Sequence, residues 1–178
     1  MPTIFSHAIF ASAVGSAYTT EPMPLRYWVL TAACAMLPDA DAIGFSFGVR
    51  YDDMLGHRGL THSIAFALLV GFTVGMFAFG KGATVPGKFQ LVLYFSLITL
   101  SHPLLDALTN GGRGVALFAP FSAERYFFPF RPIEVSPIGM RFFSQRGLEV
   151  IASEVIWVWL PALLIYAGAK MYRRFTHT

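Results

Sequence analysis

Ser63 to Gly80 reads SIAFALLVGFTVGMFAFG, eighteen residues without a charge, bounded by His62 and Lys81. A run of about 18 apolar residues is just long enough for a transmembrane helix. Working outward, Phe89 to Leu105 is a second such run, interrupted only by His102 near its end. Val155 to Ala169 is a third, extending backward through Glu154 to Val150. Two shorter and weaker segments, Thr3 to Tyr18 and Leu25 to Leu37, precede them. The chain is 55% hydrophobic and 13% charged, with a mean hydropathy of +0.57. That is too apolar for an ordinary soluble fold of 178 residues. These features predict an all-α integral membrane bundle of about four to five helices, a single domain over residues 1–178.

The punctuation between runs supports this division. Pro22 and Pro24 make a turn after helix one, and Pro38 ends helix two or starts the next turn. Residues 42–56 read as irregular or interfacial, and Lys81 to Lys88 as a loop. Asn110 to Gly147 differs in kind, holding GGRG, then FAPF and FFPFRP. Proline at that density excludes a regular spanning helix. Phe, Tyr and Arg interleaved with Pro suit a segment in the headgroup zone.

Ionisable groups beside membrane-length runs are expensive and usually mark function. Here they form four clusters: His7; Asp39 and Asp41 in LPDAD; His57 and His62 in GHRGLTHS; His102 and Asp106 in SHPLLD. If short loops make consecutive helices antiparallel, all four clusters fall on one membrane face. The opposite loops, Thr19 to Pro24 and Lys81 to Lys88, carry no His or Asp. His102 and Asp106, at i and i+4, share a helix face. Imidazole and carboxylate are ligands for zinc or manganese. One of Asp39 and Asp41 would ligate while the other binds a second metal or orients a histidine. Each cluster alone has a plain structural explanation as a helix stop, a cap or a buried histidine; their convergence favours a metal site.

Arg58, between the two histidines, is placed to grip an anionic group, and Arg113 and Arg131 lie in the loop that would cover the site. Guanidinium is the natural partner of phosphate. Arg125, Arg141 and Arg146 are equally well explained as membrane anchors. The net charge of +3 does not suggest nucleic acid, because the basic residues are scattered at the ends of apolar runs. Cys34 reads as a small core residue. With no positive charge before Arg26, the amino terminus lacks the pattern of a cleaved signal and is expected to be retained.

His7, LPDAD, GHRGLTHS, SHPLLDALTNGG and FPFRPIEVSPIG, in that order, resemble the YdjM-type family of LexA-regulated, membrane-bound metal-dependent hydrolases. The resemblance runs from His7 to about Gly139 and implies a bacterial inner-membrane protein with metal-hydrolase activity. The order His, Asp, His, His-x-x-x-Asp is also similar to the first part of the zinc-dependent phospholipase C and single-strand nuclease group. That similarity implies a metal held by Asp39 or Asp41, His57 or His62, His102 and Asp106, with His7 helping to hold another across Asp106. The second His-x-x-x-Asp of that group is missing, which leaves one or two ions, zinc or manganese.

The expected activity is hydrolysis of a lipid-linked or membrane-proximal ester, a phosphoester first, with membrane lipid as neighbour. A free carboxylate (Asp39 or Asp41) would be the general base, and Arg58 or Arg131 would stabilise charge. The rival is a non-enzymatic metal-binding or transport protein, which should carry ligands through the midplane. Lysines and arginines in the short loops and tail away from the site predict a cytoplasmic carboxyl terminus and a periplasmic site.

Overall fold

The computed structural model describes residues 1–19, 21–80, 86–137 and 139–176. Thr20 of the first turn, Lys81 and the rest of 81–85, and His177 of the basic tail lie outside them. Six α-helices are described: α1 (Ile4–Tyr18), α2 (Leu25–Met36), α3 (Ile64–Phe77), α4 (Lys88–Ala107), α5 (Gln145–Glu154) and α6 (Leu160–Thr176). A π-helical turn, Val155–Trp159, joins α5 to α6 without a break, so the bundle consists of five rods. No strand is present among the described residues.

Three stretches are long and apolar enough to cross a membrane: Leu25–Phe47, Lys88–Ala107 and Gln145–Phe175. The long uncharged run from Ser63 is not among them. Its helix, α3, has 14 residues: Ser63 is spent as the cap, its Oγ accepting the Phe66 N–H at 3.0 Å, and the helix ends at Phe77, three residues before Gly80. Conversely, the shorter segment from Leu25 gains length. Pro38 does not end the helical path but sits at the start of a 3₁₀ segment, Leu37–Phe47, that continues α2. Asp39 and Asp41 therefore stand on a tight helix rather than on a turn.

α3 lies against α4 at very short range. A Cβ on Gly71 would meet Ser96 Oγ at 2.0 Å, and one on Gly75 would meet Val92 N at 2.4 Å. Small residues at these two levels let the backbones touch, the main source of helix affinity inside a bilayer. The core at this level comprises Ala11, Tyr27, Cys34, Leu91, Phe95 and Ile98. Tyr94 reaches across to Thr31, hydroxyl to hydroxyl, at 2.8 Å.

Residues 110–137 cross over the end of the bundle that carries the histidines and aspartates. Their backbone is tied down by isolated bridges, Thr109 with Ile133 and Val115 with Tyr126. Ala116 N–H donates to Arg58 O, and Ile64 N–H to Leu117 O. A smaller core of Leu105, Ile133 and Val158 fastens the loop to α4 and the π turn. Phe121, Phe130 and Phe143 remain exposed around it.

Candidate metal centre

Asp39, His62, His102 and Asp106 each turn one ligand atom towards the others, all four within 4.8 Å of one another. Three local structures supply them. The 3₁₀ segment aims Asp39 inward. His62 ends a single 3₁₀ turn, Leu60–His62, immediately before the Ser63 cap. His102 and Asp106 project from one face of α4, as their spacing predicts. All four side chains are buried, Asp39 the least at 7% exposure.

His102 Nδ1 donates to Ala35 O at 2.7 Å. That leaves its Nε2 lone pair facing His62 Nε2 at 3.1 Å. His62 Nδ1 in turn lies 3.1 Å from Asp41 Oδ2. Two imidazole nitrogens oriented in this way need a cation between them, whether a proton or a metal ion. Burial opposes a charge on His62, but the carboxylates of Asp39 and Asp41 beside it outweigh that and raise its pKa to about 9.

The distances suit a tetrahedral ion. Zinc bonds of about 2.0–2.1 Å imply ligand-to-ligand edges of about 3.3–3.4 Å. Four of the six observed edges are close to this: 3.1 Å for the two histidines, 3.3 Å for His102 to Asp39, and 3.6 Å for His62 to Asp39 and to Asp106; the other two, from Asp106 to His102 and to Asp39, lie within 4.8 Å. Both carboxylate oxygens of Asp39 and both of Asp106 are buried without a hydrogen bond among the described residues. Buried polar atoms are rarely left so. A divalent cation would satisfy them.

His7 stacks on His102, with ring centroids 3.7 Å apart, and its Nε2 stands 3.6 Å from Asp106 Oδ1. It is outside the four-ligand group, on the far oxygen of a carboxylate whose near oxygen faces His62. His57 forms a second group with Asp41 and His62. Its Nδ1 meets Asp41 Oδ1 at 2.6 Å, while Asp41 Oδ2 accepts from Thr61 Oγ1 at 2.6 Å and from Arg58 N–H at 3.1 Å. The two aspartates of LPDAD are thus distinguished: Asp39 has free oxygens, and Asp41 has four partners.

Arg58 is placed differently from a substrate clamp. It is 1% exposed and takes a left-handed backbone, φ 64°, rare for a side chain of its size. Its Nε is 2.9 Å from Asp106 Oδ2, and its terminal nitrogens donate to Gly111 O and Thr109 Oγ1 at 3.1 Å each. Arg131 is exposed, with its guanidinium 4.9 Å above the Phe127 ring. Arg125, which reads from sequence as a membrane anchor, instead donates to His57 O and Tyr51 O at 3.0 and 2.9 Å, holding the loop to the histidine turn.

Sequence reasoning overlooked Thr61, Thr109 and Glu154. Glu154 is fully buried and accepts from Thr3 N–H at 2.5 Å and from the hydroxyls of Thr3 and Ser6 at 2.6 Å each. It clamps the first turn of α1, one residue before His7. An acid inside an otherwise apolar run was the available signal. The threonines gave none.

The profile of the family described as YdjM inner membrane protein matches residues 1–176. The chain is also 39% identical over 175 residues to the inner membrane protein YbcI of Escherichia coli (strain K12), covering 98% of this chain and 99% of that one. No solved structure matches. The chain belongs to the YdjM inner membrane protein family.

Proposed function

We propose that this protein is a membrane-bound metal-dependent hydrolase acting on a phosphoester of a lipid-linked or membrane-proximal substrate. The observation that carries the reading is the convergence of two oriented Nε2 atoms and two carboxylates on one buried point, with no hydrogen bond to either carboxylate among the described residues. Asp39, His62, His102 and Asp106 would hold the ion, with His7 at the outer oxygen of Asp106, where a second could be shared. The mixed nitrogen and oxygen donors suit zinc first and manganese second. A cation held there with one position left open to water, or added as a fifth, would supply Lewis acidity at the ester and a nucleophile active near neutral pH.

The remaining residues position and move protons. Asp41 orients His62 through Nδ1, as carboxylates do behind metal-ligating histidines. The same carboxylate grips His57 Nδ1, leaving His57 Nε2 as a candidate proton acceptor, a refinement of the free aspartate expected as general base. Arg58 neutralises Asp106 and fixes its direction. Arg131, free at the loop surface, keeps its candidacy for contacting a phosphate. The face is proposed to be periplasmic.

Elemental analysis of protein purified without chelators tests the reading. Close to stoichiometric zinc or manganese, lost in His102→Ala while the variant still inserts in the membrane, is the expected result. A wild-type protein free of transition metal would overturn it.

A further inference from the structure

Beside the metal centre lies a cavity of about 310 Å³, at the lower end of ligand-pocket sizes of about 300–1,000 Å³. Asp39 forms part of its wall, and it is the only ionisable side chain among the lining residues. Ile4 and Phe5 of α1 line one side, and Pro137, Phe142 and Phe143 the other. Several of these are open to the outside: Ile4 is 44% exposed, Phe5 62% and Phe143 79%. The cavity therefore runs from an exposed hydrocarbon mouth to Asp39, whose buried oxygens have no hydrogen-bond partner among the described residues.

Walls of this kind do not suit a water-soluble phosphate, which would call for arginine or lysine along its path. They suit an amphiphile. α4, whose last turns carry His102 and Asp106, is long enough to span the hydrocarbon core, so the site lies where lipid chains meet headgroups. A mouth of exposed Phe and Ile there opens to lipid.

We infer that the substrate is a lipid with its hydrocarbon chain in the cavity between Ile4–Phe5 and Phe142–Phe143 and its hydrolysable head at Asp39, entering sideways from the bilayer. This rests on the metal-centre reading above and adds the chain-binding residues and the route.

The test uses zinc-loaded full-length protein in phospholipid nanodiscs and two probes that bind zinc whatever the natural ester, acetohydroxamate and dodecanohydroxamate. Two substitutions obstruct the cavity. Ile4→Trp fills it, and Phe143→Glu puts a charge at its mouth on a residue too exposed to matter for folding. Partition of the long probe into the disc is common to all samples, so comparison with wild type isolates the cavity. Each variant should lose at least tenfold in dodecanohydroxamate affinity while acetohydroxamate affinity and zinc content stay unchanged. Wild-type affinity for the long probe in both variants, zinc-loaded, would overturn the inference. Dodecylphosphonate forms a separate arm. If it fails to bind while the hydroxamate pattern holds, the phosphoester reading falls and the lipid cavity stands. If wild type takes up no zinc, both fall together.

Discussion

Asp41→Asn separates the two aspartates of LPDAD. The substitution keeps the shape of the side chain and removes its charge. Asp41 is bonded to His57 Nδ1, the Thr61 hydroxyl and the Arg58 amide, and lies 3.1 Å from His62 Nδ1. Asparagine keeps one acceptor oxygen, enough for Thr61 and Arg58, but turns an amide donor towards His57. It also weakens the pull that keeps the proton on His62 Nδ1 and the lone pair on Nε2. Loss of a carboxylate behind a metal-bound histidine typically costs about 10–100-fold in metal affinity, or roughly 1.4–2.8 kcal/mol at about 1.4 kcal/mol per decade. Asp39→Asn removes a ligand and its charge together, so its loss should exceed that of Asp41→Asn by at least about tenfold. Competition against a chromophoric zinc chelator in detergent measures both. Equal losses would make Asp41 a ligand in its own right, and an unchanged affinity in Asp41→Asn would remove it from the site.

Arg58→Met should destabilise the protein by about 3–5 kcal/mol, because the buried Asp106 loses the guanidinium 2.9 Å from its Oδ2; an unchanged unfolding midpoint for the metal-free protein in detergent would return Arg58 to the role of a free substrate clamp. Zinc must displace the proton that His62 holds up to about pH 9, so affinity should climb with pH by close to one decade per unit between about pH 6.5 and 8.5; a flat profile in calorimetry would contradict that. Gly75→Ala should cost about 1–3 kcal/mol, since its Cβ has no room against Val92, and a thermal melt equal to wild type would show that α3 and α4 do not touch there. A carboxyl-terminal fusion that fluoresces only in the cytoplasm should be bright; a dark but expressed fusion would place the site on the cytoplasmic side.

What the sequence determined by itself is what depends on nearest neighbours along the chain. Apolar runs identify a membrane bundle because burying backbone in lipid requires helices. The spacing of His102 and Asp106 puts them on one face because a helix repeats every 3.6 residues. The alternation of helix direction brings four clusters to one end. Boundaries were less legible. The longest uncharged run formed the shorter α3, since Ser63 was taken by a cap and the helix stopped at Phe77, and Pro38 admitted a 3₁₀ continuation that a count of hydrophobic residues could not anticipate.

The tertiary structure alone decided which polar atoms face one another. Asp39 and Asp41 are two positions apart in LPDAD, and only the placement of Thr61, His57 and the Arg58 amide, from a loop packed across them, commits one and leaves the other free. Arg58 reads as an open guanidinium until Thr109, Gly111 and Asp106 close around it. Glu154 looks like an interruption in an apolar run until Thr3 and Ser6, about 150 residues earlier, supply its donors. Hydrogen bonds and ion pairs are directional and act within about 3–4 Å, so their partners are set by how helices pack, and that packing is a property of the whole chain.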